Sequence, residues 1–269
     1  MREMSNVLSM FRRQGPQRRR PRRGVLLLPS MFTVANMFCG WACIVYSMRG
    51  DFMVAAPFIG FATVLDLLDG RIARATGSTS DFGVEFDSLA DIISFGVAPA
   101  TLVFAWSLEP LGQLGWAVAF LWLTAAAVRL ARFNVQTKGS DKRYFVGMPS
   151  PAAAGVPAAT VYALPAGFVE PFNIVGALIV MVVPAALMVS RVRFRSFNFL
   201  IPGRQRSYMT PLIIAGVIGA IAAAPQIVLV ALAYSYLISG LVGHVINRGR
   251  TVRNHPPLNE ESEVKRSVS

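Results

Sequence analysis

The chain has 269 residues, 54% of them hydrophobic and only 15% charged, with mean hydropathy +0.51 and net charge +12. This composition excludes a water-soluble globular domain and a disordered chain; it is that of a protein embedded in a bilayer. The basic excess does not indicate a nucleic-acid binder, because residues 1–24 carry only Phe11 among their arginines and offer no set of aromatic stacking platforms.

Residues 1–24, rich in Arg, Gln and Pro, have little to bury and are expected to be disordered. Their arginines run straight into a full-length apolar segment, which is not the pattern of a cleavable signal peptide. Apolar runs near the ~20 residues that cross a hydrocarbon core then recur. They predict spans over Val25–Ser47, Phe52–Asp69, Phe82–Trp106, Leu111–Arg132, Pro151–Ala166, Phe172–Val189, Thr210–Ala224 and Gln226–Ile246. The fold class expected is therefore an all-α integral membrane protein, a polytopic bundle of about eight helices, or six if the short fifth and seventh spans merge with neighbours. Residues 25–246 form the membrane domain and 247–269 a polar tail.

Every Lys and Arg except Arg49 falls at one set of span ends: before the first, and after the second, fourth, sixth and eighth. The positive-inside rule then places both termini, and the loop after the second span, in the cytoplasm of a cell-membrane protein. The longer connections, 70–81, 133–150 and 190–209, share that face, so function is sought there. Cys39 and Cys43, four apart in one span without acidic or histidine neighbours, read as small packing residues rather than a disulfide or metal pair.

Six of the 14 acidic residues crowd into one window: Asp66, Asp69, Asp81, Glu85, Asp87 and Asp91. A carboxylate at mid-membrane costs roughly 2.5–3.5 kcal/mol on insertion scales, so several together require counter-charges. Residues three or four apart share a helix face. Asp66 and Asp69 therefore point together from the end of the second span, and Asp87 and Asp91 from the start of the third. Gly77 to Ser80 reads as the turn between them. Two facing carboxylate pairs can hold two divalent cations, Mg²⁺ or Mn²⁺, and behind them a phosphate. Gly70 and Gly83 remove side chains beside the carboxylates, Ala73 keeps the wall low, and Arg74 adds a guanidinium fork suited to phosphate. Structural ion pairs with Arg71, Arg74, Arg129 or Arg132 explain one aspartate better than four at helical spacing. Ion-coupled transport is the other reading of intramembrane acids, but the spans do not resemble inverted repeats and the acids cluster near one interface.

The run Asp66-x2-Asp69-Gly70-x2-Ala73-Arg74-x8-Gly83-x3-Asp87-x3-Asp91 resembles the signature of the CDP-alcohol phosphotransferases at all eight positions. That family consists of integral membrane enzymes that transfer a phosphoalcohol from a CDP-linked donor to a hydroxyl and release CMP. The resemblance implies that Asp66, Asp69 and Asp87, with their metals, hold the pyrophosphate. It also implies that Asp91 is the general base, that Gly70, Ala73, Arg74 and Gly83 line the nucleotide site, and that the protein is a homodimer. Three further segments, 92–100, Arg129 to Asn134 and Gly147 to Gly155, are similar to the members that use serine, the phosphatidylserine synthases. The substrates implied are CDP-diacylglycerol and L-serine, with glycerol phosphate, inositol phosphate or choline as other acceptors, or an ether lipid as donor. Arg129, Arg132 and Asn134 are the residues chosen here to receive the acceptor's carboxylate. On a purely structural reading, Ser150 caps a helix begun by Pro151, and Asn36 and Asn134 are polar packing residues.

Overall fold

The computed structural model describes residues 23–76, 80–136, 144–167, 171–190, 193–195 and 209–253. Helix α1 (Arg23–Met48) leads through a tight turn at Gly50, whose φ is +79°, into α2 (Phe52–Thr76). Helix α3 (Asp81–Asp91) continues through a π-helical segment (Ile92–Val97) into α4 (Ala98–Val103), then a second π turn (Phe104–Leu108) and a 3₁₀ turn (Glu109–Leu111). There follow α5 (Gln113–Gln136), α6 (Ser150–Ala163), α7 (Pro171–Val189), α8 (Met209–Ala223) and α9 (Pro225–Arg253). If the α3–α4 run counts as one rod, the described residues form eight helical rods.

Among the described residues, five rods are long and apolar enough to cross a membrane: Ser30–Met48, Phe52–Ala73, Asp81–Leu111, Gln113–Val135 and Pro225–Val242. Ile174–Val189 is a shorter apolar stretch. The chain is thus an all-α multi-pass membrane bundle. Large apolar side chains such as Phe38, Trp41, Phe61, Trp116 and Phe120 face outward, as a lipid-facing surface requires.

The sequence reading differs from the structure in several places; α9 runs to Arg253, past the predicted end of the eighth span at Ile246 and into the predicted polar tail. Hydropathy ends the second span at Asp69, but α2 runs to Thr76. Arg and Ala are good helix formers, and the single glycine of this stretch, Gly70, is carried within the helix. The third span continues past Trp106 to Leu111, where Gly112 at φ +55° ends it. A two-stranded antiparallel ribbon, β1 (Tyr144–Val146) with β2 (Arg193–Arg195), joins two segments that read in sequence as plain loops. Gly77 to Thr79, the expected turn, lies outside the described residues, as do residues 1–22 and 254–269.

Packing explains the order of the rods. One face of α1 carries Thr33, Asn36, Gly40, Cys43 and Ser47 at three- and four-residue steps, and it is turned inward. It lies along α2, whose inward face is Ala55, Ala56, Ile59 and Ala62, all nearly inaccessible. Small residues on both sides allow the close approach that drives helix association in lipid. The long third rod is the centre of the bundle, contacting α1, α5 and α6. It contributes Phe95, Leu102, Val103, Trp106 and Leu108 to a core completed by Trp122, Met148, Val156 and Met181.

Candidate active site: a carboxylate cluster between α2 and α3

Local sequence sets up the entrance to α3. The Ser80 hydroxyl accepts a 3.0 Å bond from Gly83 N, capping the helix. A Cβ at residue 83 would sit 3.1 Å from that hydroxyl, so the glycine keeps the cap undisturbed.

From this start α3 presents Asp87 and Asp91 toward α2, which presents Asp66 and Asp69. Single carboxylate oxygens of Asp66, Asp69 and Asp87 all lie within 4.8 Å of one another. Opposite ligands of a small octahedral cation are about 4.2 Å apart, twice the ~2.1 Å ligand distance, so small side-chain adjustments bring these oxygens into coordinating range. The donors are all oxygens, which suits a hard divalent ion. Asp69 is 4% exposed, and its Oδ2 accepts from Thr33 Oγ1 at 3.2 Å. Its Oδ1 and Asp87 Oδ1 are buried without a hydrogen-bond partner. Orphaned anionic oxygens in a poorly solvated cluster are costly, and a bound cation removes that cost. The residues therefore fit a divalent metal.

Asp91 stands one turn beyond this trio and outside it. Asn36 Nδ2 donates to its Oδ1 at 3.4 Å. The Arg129 guanidinium is near enough to Asp91 and Asp66 to attract both electrostatically. Arg129 NH1 also donates to Ser150 Oγ at 2.9 Å, and the group lies 5.5 Å from the Phe133 ring centroid. The expected Ser150 cap does not form: the residue before the first turn is Pro149, no side chain caps α6, and the Ser150 hydroxyl serves Arg129 instead. The other two residues chosen for the acceptor turn elsewhere. Arg132 NH1 donates to Val189 O at 3.4 Å, and Asn134 Nδ2 to Ser88 Oγ at 3.0 Å.

Gly70 and Ala73 follow Asp66 and Asp69 by one helical turn each, and both are half-buried, as is Gly83. The backbone of Arg74 belongs to α2, while its side chain lies outside the described residues. Thr33 and Asn36 are the site residues that sequence reasoning passed over, one unremarked and one read as packing. Their only signal is two polar residues three apart in an apolar span.

A membrane bundle in which two helices packed on a third bring a carboxylate cluster together, with an arginine nearby, has the parts of a metal-assisted transferase acting on phosphate esters. The chain belongs to the CDP-alcohol phosphatidyltransferase family, whose model matches residues 26–192. It is 44% identical over 134 residues to the CDP-diacylglycerol–serine O-phosphatidyltransferase of Helicobacter pylori, covering 50% of this chain and 56% of that one. With the Mycobacterium tuberculosis protein of the same name it shares 41% over 142 residues, covering 50% and 49%. With the archaetidylserine synthase of Methanothermobacter thermautotrophicus it shares 33% over 171 residues, covering 63% and 70%. The chain thus spans about half the length of these two bacterial relatives.

Proposed function

We propose that the protein transfers the phosphatidyl group of CDP-diacylglycerol to the hydroxyl of L-serine, giving phosphatidylserine and CMP. The observation that carries this reading is the convergence of three carboxylates, two of them with a buried oxygen that has no hydrogen-bond partner, beside a fourth that is held separately. The relatives named for serine transfer support the choice of acceptor.

In this reading Asp66, Asp69 and Asp87 hold Mg²⁺ or Mn²⁺, and Asp91 stands at the edge of that group as the base. Such ions, when bound, neutralise pyrophosphate charge and stabilise CMP as the leaving group. Gly70, Ala73 and Gly83 leave room for the nucleotide, and Arg74 supplies a cationic fork to its phosphates. Asp91 accepts the serine hydroxyl proton while the oxygen forms a bond to the lipid-linked phosphorus and the bond to CMP breaks. A carboxylate is a weak base for an alcohol, so Asp91 works only if it is held on line with that proton. Arg129, braced by Ser150 and facing Asp91, is the group best disposed to receive the serine carboxylate. We further propose residues 25–246 as the catalytic membrane domain, with both termini in the cytoplasm and a second copy of the chain as partner.

The test is release of CMP from CDP-diacylglycerol by purified protein in detergent with Mn²⁺ or Mg²⁺ and a panel of alcohols. L-Serine should exceed glycerol 3-phosphate, inositol phosphate and choline by at least ~10-fold, the margin expected when a site pairs a substrate's charged groups that competitors lack or misplace. Another acceptor ahead by that margin refutes serine while leaving the family intact. The archaetidylserine relative favours running an ether-lipid CDP donor in parallel.

A further inference from the structure

We infer that Asn36 of α1 is a positioning residue for Asp91, fixing the direction in which that carboxylate faces the acceptor hydroxyl. The inference rests on the reading of Asp91 as the base.

Asn36 is completely buried, and its side-chain amide donates to Asp91 Oδ1 at 3.4 Å. That length is long for an N–H···O bond, as catalytic contacts often are before substrate closes them. The main chain of Asn36 is tied as well: its carbonyl accepts from Ser94 Oγ at 2.9 Å, three residues beyond Asp91. One turn further along α1, a Cβ on Gly40 would come within 2.8 Å of Ser94 Cα, so the two backbones are already in contact. On the opposite side, Trp122 Nε1 of α5 donates to Phe95 O at 3.2 Å. The π-helical segment that starts directly after Asp91 is thereby pinned from two sides. π turns break the regular ladder and reorient the residues at their margins. Here the margin residue is Asp91, and the amide that touches it is anchored to the same turn.

A packing asparagine and a positioning asparagine make different predictions in a double-mutant cycle. Asn36→Leu keeps the branching and heavy-atom count of the side chain and removes the donor. In the parent background it should lower kcat about 10- to 100-fold, the cost of misplacing a reacting group by the order of 1 Å. Mn²⁺ binding, read by electron paramagnetic resonance, and the KM for CDP-diacylglycerol should stay within about twofold, since the Asn36 amide bonds to Asp91 and not to the trio. In the Asp91→Asn background the same substitution should change kcat by less than about twofold, because there is no base left to aim. Asn36→Ser, whose hydroxyl is too short to reach Asp91, repeats the cycle with a polar side chain and guards against misfolding of the leucine variant. Equal losses in both backgrounds, undiminished kcat in the parent background, or loss of Mn²⁺ binding alongside turnover overturns the inference. If Asp91→Asn alone turns over like the parent protein, the base assignment itself is what fails.

Discussion

Gly40→Ala tests whether the contact between α1 and the π turn governs the site. The added Cβ would stand 2.7 Å from Ser94 Oγ, 2.8 Å from Ser94 Cα and 3.1 Å from Ser94 N. The hydroxyl can rotate away, but the backbone atoms cannot. Carbon atoms rest at about 3.5–4.0 Å, so the two helices must part by roughly 0.7 Å or more. Overpacking of this kind costs about 1–3 kcal/mol, and for a chain of this size each kcal/mol lowers the midpoint by about 2–4 °C. The Asn36–Asp91 contact, already 3.4 Å, and the Ser94–Asn36 bond at 2.9 Å both span this seam. Both should open, and CMP release should fall about 10- to 100-fold. The assays are thermal unfolding in detergent and CMP release at saturating donor and acceptor. Gly60→Ala is the control: it lies on the exposed side of α2 with nothing within 4 Å of its would-be Cβ, so it should be neutral or slightly stabilising. A Gly40→Ala protein with the parent's midpoint and turnover refutes the reasoning, since the seam would then be loose.

Chelation with EDTA should abolish CMP release and added Mn²⁺ or Mg²⁺ restore it; full activity after thorough chelation would remove the cation from the mechanism. Asp66→Ala and Asp69→Ala should lose Mn²⁺ and donor binding together with turnover, while normal binding in either would show that the cation sits elsewhere. Asp91→Asn should lower turnover at least ~10²-fold, the low end for general-base catalysis, yet retain metal-dependent binding of CDP-diacylglycerol. Thr33→Val deletes the bond to Asp69 Oδ2 and should weaken Mn²⁺ binding about 10-fold, as loss of a hydrogen bond to a metal ligand does; unchanged affinity would mean the hydroxyl only fills space.

What local sequence determined is what depends on near neighbours along the chain. Hydropathy over a window of about one bilayer thickness located the helical rods from α1 to α9, because in lipid a backbone can satisfy itself only within its own helix. Helical spacing put Asp66 with Asp69 and Asp87 with Asp91, and the eight-residue pattern around them carried the family. The rest needed the fold. That Asp66, Asp69 and Asp87 meet within 4.8 Å while Asp91 stands apart follows from how α2 and α3 each pack against α1, which spacing along one helix does not specify. The π turn after Asp91 reads in sequence as ordinary helix, since Ile92 to Val97 carries no proline and its one glycine, Gly96, is a common residue in membrane helices; it is held by Asn36 and by Trp122, residues 58 and 27 positions from their partners. Ser150 looked like a cap because serine often is one, and only tertiary contact gave its hydroxyl to Arg129. Thr33 and Asn36 carry little signal by themselves, since a buried polar side chain acquires meaning from the partner across the interface. In this protein the chemistry is written in adjacent residues, and the aim of each carboxylate is decided by the helix that packs beside it.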